Sequence, residues 1–225
     1  MASSNTLYKF MTRLYTIFYL KATMMEIKMQ PMGVTQTNCY IVTIDNKDLI
    51  IDPGIGATQW VLNNTKNPIA ILNTHGHYDH VWSNSELKNK LKVPLYIQKE
   101  DEFMLTKCPL GQNVPPSQAD YLVNGDEELN IDNISVYYRH FPGHTPGNSI
   151  IEIEDVWFSG DFIFDQSIGR WDFPFSSGEA MVNSLDKAMQ IEKNFTLYPG
   201  HGVSTTLKKE QKGMPIWREY VKNNS

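Results

Sequence analysis

The sequence predicts a mixed α and β fold, since short strand-like runs alternate with helical patterns from Met25 onward without a low-complexity linker. The 225 residues, 41% of them apolar, allow a sizeable core in one large domain or two fused halves. Five of the six histidines fall in three short stretches, each just after a predicted strand. Open α/β sheets place their sites at the carboxyl ends of strands.

The first half of the chain predicts a β-hairpin followed by alternating strands and helices. Residues 39–44 and 48–51 are β-branched runs on either side of an Asp-Asn-Lys turn signal. Residues 69–72 form a continuous apolar run, as expected of a strand buried on both faces. Short helices are predicted at 56–64 and, behind a Ser/Asn cap, at 83–91.

A proline-rich polar stretch, residues 109–124, predicts a surface loop or the seam between two halves of the fold. Strands and helices resume after it, so the second half is also mixed α and β. The predicted elements are strands at 134–138, 149–153, 156–159 and 195–198, and helices at 178–191 and 204–211.

The N-terminal residues differ in composition from the rest of the chain. Residues 1–23 contain three basic residues and no acidic one, and the apolar run at 14–20 resembles a weak signal or transit segment. That run is too short to span a bilayer, and the residues after it make a poor cleavage site. We therefore predict a poorly ordered extension over residues 1–24 and a single domain over residues 25–225.

The net charge argues against a nucleic-acid partner, and the cysteine content indicates a reducing compartment. A net charge of −5 and a pI near 5.7 leave no basic field for a phosphate backbone. The two cysteines, Cys39 and Cys108, lie outside any CxxC spacing, which suits a reducing compartment and thiols that serve packing or loop structure. We expect a cytoplasmic protein without a nucleic-acid or membrane partner, and its oligomeric state stays open.

The motif His75-x-His77-x-Asp79-His80 is the strongest indication of chemistry. Alternate residues of an extended loop point the same way, so the first two histidines can bind one ion while the aspartate and last histidine turn toward a second. Two loops with the sequence aromatic-Pro-Gly-His, which end at His144 and His201, each deliver one imidazole on a stiff turn.

These imidazoles give each ion three protein ligands, and Asp161 is placed to bridge the two ions. The predicted ligands are His75, His77, Asp79, His80, His144, Asp161 and His201. Open coordination positions remain for water, as is typical of a catalytic rather than a structural zinc site. A chance cluster of core or surface histidines is the competing interpretation, and it is the one adopted for His140, which lies inside a strand pattern.

Four stretches resemble the metallo-β-lactamase superfamily, in that family's order: residues 74–80, 143–147, 159–161 and 199–201. Two longer phrases, 167–174 and 199–206, are similar to the short glyoxalase II-like hydrolases, that is, hydroxyacylglutathione hydrolases. The resemblance implies an α/β fold built as a four-layer αβ/βα sandwich. Such a fold has two mixed central sheets, outer helices and a dinuclear site at one edge.

The resemblance and the ligand set together predict a hydrolase acting on a thioester such as S-lactoylglutathione, or on a related small ester. Two divalent ions about 3.5 to 4 Å apart would lower the pKa of a bridging water, so that hydroxide attacks a polarised carbonyl. Asp79 is the expected catalytic residue, orienting the nucleophile and handing a proton to the leaving group. Zinc is the expected metal, with iron or manganese as alternatives.

One departure from the family bears on substrate recognition. Full-length glyoxalase II enzymes have a further helical domain that supplies much of the glutathione-binding surface, whereas only about two dozen residues follow His201. Glutathione recognition is therefore not carried over. Arg170, the only fixed cation in the loop at 163–174, is a weak candidate for substrate contact. An ion pair with Asp172 or Asp165 that shapes the loop is the favoured interpretation.

Other functions are compatible with the same scaffold. Persulfide dioxygenases hold one iron with two histidines and a carboxylate, although the phrases at 168–170 and 199–202 are closer to the hydrolases. A ribonuclease would need an RNA-binding arm and a basic groove, and a β-lactamase would need more proton delivery to its leaving group. A non-catalytic metal-binding module would hold fully ligated metal with no open position.

Overall fold

Two six-stranded sheets form the centre of the computed structural model, which describes residues 25–107 and 110–225. The first sheet pairs, in order, β1 (Glu26–Met32), β2 (Thr37–Ile44), β3 (Lys47–Ile51), β4 (Pro68–Leu72), β5 (Leu95–Gln98) and β6 (Tyr121–Val123). The second pairs, in order, β7 (Glu127–Ile131), β8 (Ile134–His140), β9 (Ser149–Ile153), β10 (Val156–Gly160), β13 (Thr196–Pro199) and β14 (Thr205–Thr206). A separate ribbon joins β11 (Ile163–Phe164) to β12 (Ser167–Ile168).

Helices cover the outer faces of both sheets. The helices in the described ranges are α1 (Ala57–Asn64), α2 (Tyr78–Val81), α3 (Asn84–Leu91), α4 (Gly178–Met189), α5 (Leu207–Glu210) and α6 (Met214–Asn223), with a 3-10 helix at Lys99–Leu105. Side chains of α1 and α3 share an apolar cluster with the first sheet, and those of α4 and α6 share one with the second. A third cluster lies between the sheets.

Neighbouring residues of single strands enter different clusters. Leu49 and Ile51 of β3 lie between the sheets, whereas Ile50 packs beneath the first pair of helices. In β10, Phe158 lies between the sheets and Trp157 packs against the second pair. Strands buried on both faces read as continuous apolar runs, which is why β3 and β10 do not alternate with polar residues. The layers are helix, sheet, sheet and helix, which confirms the predicted αβ/βα sandwich.

Strand direction determines where the loops emerge. In the first sheet β3, β4 and β5 are mutually parallel, so their carboxyl ends share one edge. In the second sheet β10 and β13 are parallel, and β8 runs the same way because two antiparallel pairings separate it from β10. Loops after these six strands are therefore the ones that can build a site at one edge of the sandwich.

Most predicted elements are confirmed within two residues. The β2–β3 hairpin turns through Asp45 (φ 47°) and Asn46 (φ 61°), both in the left-handed region that a two-residue type I′ turn requires. The predicted strands and helices that correspond to observed elements are 39–44, 48–51, 56–64, 69–72, 83–91, 134–138, 149–153, 156–159, 178–191 and 195–198.

Three details of the prediction were wrong. The stretch 109–124 is loop over residues 110–120 and leads from the first sheet toward the second, as predicted, but residues 121–123 form β6, where parallel pairing with β5 outweighs the polar local composition. The single helix predicted at 204–211 is the short strand β14 followed by α5, and α6 follows. Ser83 makes no side-chain cap on α3, because its hydroxyl donates instead to the Gly54 carbonyl at 2.6 Å.

Some predictions concern residues that the structure does not describe. The extension over residues 1–24 and the residue Cys108 lie outside the described residues. Cys39 has a free thiol buried in β2, in keeping with a packing role. No helix among the described residues is both long enough and apolar enough to cross a membrane.

Candidate metal centre

Each predicted ligand lies just past the carboxyl end of a strand. The motif at 75–80 follows β4 and runs into α2, while His144 follows β8, Asp161 follows β10 and His201 follows β13. The four loops converge, and all seven predicted side chains come together in two groups of potential ligand atoms joined by Asp161.

The first donor group, as we name it, consists of three imidazole nitrogens. His77 Nδ1 lies 3.2 Å from His75 Nε2 and 2.9 Å from His144 Nε2. All three rings are buried. This is the set that the sequence spacing assigned to one ion.

The second donor group consists of Asp79, His80 and His201. Asp79 Oδ2 lies 3.5 Å from His201 Nε2 and 3.8 Å from His80 Nε2. Asp161 stands between the groups, because its Oδ2 lies 3.4 Å from His144 Nε2 and 3.5 Å from His201 Nε2. One carboxylate oxygen thus reaches both groups.

The donor atoms are spaced as metal ligands are. Tetrahedral ligands about 2.0 to 2.1 Å from a zinc ion would lie about 3.3 Å from one another. The observed separations run from 2.9 Å to 3.8 Å. His80 Nε2 and Asp161 Oδ1 are buried, lie 3.4 Å apart and have no hydrogen-bond partner among the described residues. Unpaired buried polar atoms are costly, so this arrangement fits divalent cations.

Asp52, directly after β3, supports the centre from behind. Its Oδ1 accepts a hydrogen bond from the Thr74 amide at 2.8 Å, and its Oδ2 accepts one from the Thr74 hydroxyl at 2.6 Å. The same Oδ2 lies 3.0 Å from His80 Nδ1, and the Thr74 hydroxyl lies 3.1 Å from His75 Nδ1. Although Asp52, His75 and His80 also lie close enough to hold an ion, these bonds occupy the Asp52 oxygens. Carboxylates behind ligating histidines orient the rings in this way.

Backbone carbonyls orient two further imidazoles. His144 Nδ1 donates to the Arg170 carbonyl at 2.7 Å, and His201 Nδ1 donates to the Thr35 carbonyl at 3.1 Å. Each bond leaves the opposite ring nitrogen facing the donor groups. The carboxylate of Asp79 is oriented in turn by the Thr37 hydroxyl, which donates to Oδ2 at 2.6 Å.

The two donor groups differ in protonation. Burial lowers the pKa of His75 well below its ordinary value and lowers that of His77 to about 3, so both rings are neutral at pH 7. For His80, burial also lowers the pKa, but the carboxylates of Asp161 and Asp79 outweigh it and raise the pKa. Burial also lowers the pKa of His201, but the hydrogen bond to Asp161 and the negative charges of Asp161 and Asp79 together outweigh it and raise the pKa.

A cavity of about 380 Å³ opens beside the donor groups. Besides the ligands, its lining includes the apolar side chains of Leu110, Phe164, Ile168 and Phe173. Arg170 stands at its rim, where its guanidinium donates twice to Asp172 at 2.8 Å and lies 4.2 Å from the centre of the Phe173 ring. The sequence favoured an ion pair with Asp172 or Asp165, and the structure shows the pair with Asp172.

Sequence reasoning missed three residues that shape the centre: Asp52, Thr37 and Asp101. Asp52 carries the same signal as Asp161, a carboxylate directly after a buried strand, and it could have been found on that ground. Thr37 and Asp101 have no local signal, since their partners lie 42 and 44 residues away in the chain.

The chain is similar in sequence to two bacterial proteins that carry hydrolase names. The chain is 31% identical to the probable metallo-hydrolase YqgX of Bacillus subtilis over 205 residues, covering 85% of this chain and 97% of that protein. It is 32% identical to the hydroxyacylglutathione hydrolase GloC of Haemophilus influenzae over 207 residues, covering 85% of this chain and 98% of that protein.

Solved structures agree with the observed architecture. The crystal structure of BLEG-1 B3 metallo-β-lactamase is similar with a TM-score of 0.78 and 29% identity, over 85% of this chain and 99% of that one. The crystal structure of TTHA1623 in a di-iron-bound form is similar with a TM-score of 0.74 and 28% identity, over 84% and 99%. The model of the metallo-β-lactamase superfamily matches residues 32–201. The chain therefore belongs to the metallo-β-lactamase superfamily.

Proposed function

We propose that the protein is a dinuclear metal-dependent hydrolase that cleaves a thioester such as S-lactoylglutathione, or a related small ester. The observation that carries the proposal is the position of Asp161 Oδ2, 3.4 Å from His144 of one donor group and 3.5 Å from His201 of the other. A carboxylate oxygen shared in this way suits a pair of ions. The name of the relative GloC, hydroxyacylglutathione hydrolase, supports the substrate class.

In this proposal His75, His77 and His144 would hold one ion, Asp79, His80 and His201 would hold the other, and Asp161 would be shared between them. Imidazole suits zinc and iron, and carboxylates also suit manganese, so zinc is our first choice with iron and manganese as alternatives. When bound, such ions make water more acidic and polarise a carbonyl oxygen.

The protein's own side chains then orient the reactants. Thr37 donates to Asp79 and holds that carboxylate toward the cavity, where it can orient the attacking water and carry a proton to the leaving group. The apolar lining beside it, including Phe164 and Phe173, excludes bulk water from the scissile bond. A thiolate leaving group needs little acid help, which suits a cavity where the carboxylates among the described lining residues, Asp79 and Asp161, are both candidate ligands.

Arg170 is a weak candidate for substrate contact in this proposal. A carboxylate of the substrate would have to compete with Asp172, which accepts two hydrogen bonds from the same guanidinium. We assign Arg170 first to shaping the loop, whose backbone carbonyl orients His144.

The second donor group and the cavity beside it each favour this proposal over one of the two alternatives. A mononuclear iron dioxygenase would need only two histidines and a carboxylate, whereas Asp79, His80 and His201 here provide a further set. A non-catalytic metal module would have no use for a cavity that opens onto the donor atoms.

The proposal is tested by hydrolysis of S-lactoylglutathione and a panel of small thioesters with zinc-, iron- or manganese-loaded protein. We expect metal-dependent turnover that His77→Ala abolishes. His140→Gln is the matched control, since that imidazole lies 2.8 Å from the Pro146 carbonyl and belongs to neither donor group. Absence of turnover on every thioester and small ester by metal-loaded protein would contradict the proposal.

The raised pKa values in the second donor group predict pH-dependent metal loading. At pH 6 His80 and His201 carry protons that an ion must displace, whereas His75 and His77 are neutral at both pH 6 and pH 8. Raising the pH from 6 to 8 should therefore strengthen binding of the second zinc equivalent more than that of the first. Competition with a chromophoric chelator measures both affinities. Equal pH dependence of the two equivalents would be evidence against this assignment.

A further inference from the structure

Asp101 is a fully buried carboxylate that belongs to neither donor group. It lies in the 3-10 helix Lys99–Leu105, just after β5, and is 0% exposed. Because β5 is parallel to β4, the helix begins at the edge where the metal centre lies. Burial of a charged carboxylate costs free energy unless hydrogen bonds compensate for it, so the partners of Asp101 explain why it lies there.

The carboxylate of Asp101 joins the two loops that supply the first donor group. It accepts hydrogen bonds from the Gly76 amide at 2.9 Å, the Thr145 hydroxyl at 2.6 Å and the Gly147 amide at 2.6 Å. Gly76 lies between His75 and His77, and Thr145 directly follows His144. One side chain therefore spans the gap between the pair of histidines on one loop and the single histidine on the other.

The backbone of Gly147, in the loop after β8, packs directly against the side chain of Asp101. A Cβ atom on Gly147 would lie 2.7 Å from Asp101 Cγ and 2.8 Å from Asp101 Oδ1. Only glycine allows this contact, so the short hydrogen bond from the Gly147 amide depends on the missing side chain. The contact therefore requires glycine at position 147 and a hydrogen-bond acceptor at position 101.

The three hydrogen bonds to Asp101 are strongest when the group is ionised, because both oxygens are then acceptors only. Burial raises its pKa to about 6, although the hydrogen bonds from Thr145, Gly147 and Gly76 act in the opposite direction. At neutral pH the group is therefore mainly charged.

We propose that Asp101 is a positioning residue that sets the distance between the His75/His77 pair and His144, and thereby the affinity of the first donor group for its ion. The inference rests on the metal centre of the proposed function. Groups behind the ligands of a metal typically change its affinity by about 10- to 100-fold when they are removed. Asp101 differs from such groups in that it hydrogen-bonds residues next to the ligands in two loops, and not a ring nitrogen of a ligand itself.

The test is Asp101→Asn in the full-length protein, with zinc affinity measured by chelator competition. The asparagine amide has two N–H donors where the carboxylate had an acceptor, so at least one of the three loop bonds is lost. We expect the first zinc equivalent to bind about tenfold more weakly. Thermal unfolding of the metal-free variant reports its fold separately.

Asp48 is a matched control. Its carboxylate is also buried and accepts from a threonine hydroxyl and two backbone amides: Thr43 at 2.6 Å, Lys66 at 2.7 Å and Asn67 at 2.8 Å. It lies near the start of β3, at the edge of the sheet away from the metal centre. Asp48→Asn should therefore lower thermal stability as Asp101→Asn does, while leaving zinc affinity unchanged.

Thr145→Val and Thr145→Ser complete the test. Valine removes one donor to Asp101 and should weaken zinc binding, and serine restores the hydroxyl and should restore affinity. These variants decide the matter if Asp101→Asn does not fold. Wild-type zinc affinity in both Asp101→Asn and Thr145→Val, or an equal loss in Asp48→Asn, would overturn the proposal. Failure of the wild-type protein to bind zinc, iron or manganese would instead overturn the proposed function.

Discussion

Asp161→Asn is expected to lower kcat/KM for thioester hydrolysis by about a thousandfold, since bound ions supply several kcal/mol of transition-state stabilisation and each 1.36 kcal/mol is tenfold. Asp161 Oδ2 lies 3.4 Å from His144 Nε2 of the first donor group and 3.5 Å from His201 Nε2 of the second. An asparagine has one carbonyl oxygen and no charge, so it cannot neutralise two ions. We expect the bound metal to fall from about two equivalents to about one.

The effect of Asp161→Asn is measured by steady-state kinetics together with elemental analysis of the purified protein. Asp165→Asn is the control from the same segment of chain, since that carboxylate pairs with Lys209 outside the donor groups. It should retain metal content and activity. An Asp161→Asn protein with two bound ions and wild-type turnover would show that this carboxylate does not bridge.

Sequence reasoning succeeded where the physical cause was local. The HxHxDH spacing and the two Pro-Gly-His turns fix side-chain direction over a few residues, and all the residues predicted from them converge. The Asp45 and Asn46 turn likewise needs only two backbone conformations that these residue types tolerate. Each of these predictions depended only on a few consecutive residues.

The missed features depend on partners far along the chain. β6 exists because β5 offers it a parallel edge, and residues 121–123 alone give too short a run to predict a strand. Asp101 binds groups 25 and 46 residues away, at Gly76 and Gly147. A lone aspartate in a polar stretch is ordinarily a solvated side chain, so only the tertiary structure distinguishes this one.

A further large effect is expected from Gly200→Ala, because the backbone of Gly200 lies directly against the bridging carboxylate. A Cβ atom there would lie 2.2 Å from Asp161 Oδ1 and 2.7 Å from His80 Cε1. The loop cannot retreat easily, since the Gly200 amide donates to the Gly160 carbonyl at 2.8 Å and its carbonyl accepts from Asn38 at 2.7 Å. The carboxylate must therefore move.

Ordinary contact at about 3.5 Å would displace the Asp161 oxygen by about 1 Å, and a misplacement of that size can lower activity by about 100-fold. We expect such a loss in kcat/KM, with weaker binding of one metal equivalent. Overpacking of this kind costs about 1 to 3 kcal/mol of folding free energy, less than the roughly 5 to 15 kcal/mol of a typical domain, so the variant should fold.

Gly213→Ala separates the steric effect at Gly200 from the general effect of replacing a glycine. Gly213 has a φ of −92°, which any residue adopts, and the nearest atom to an added Cβ would be 3.7 Å away. Its substitution should leave kcat/KM, metal content and melting temperature near wild type. If Gly200→Ala also matched the wild type in all three, the carboxylate would have to tolerate displacement, and the close packing of Gly200 against Asp161 would have no role in holding the ions.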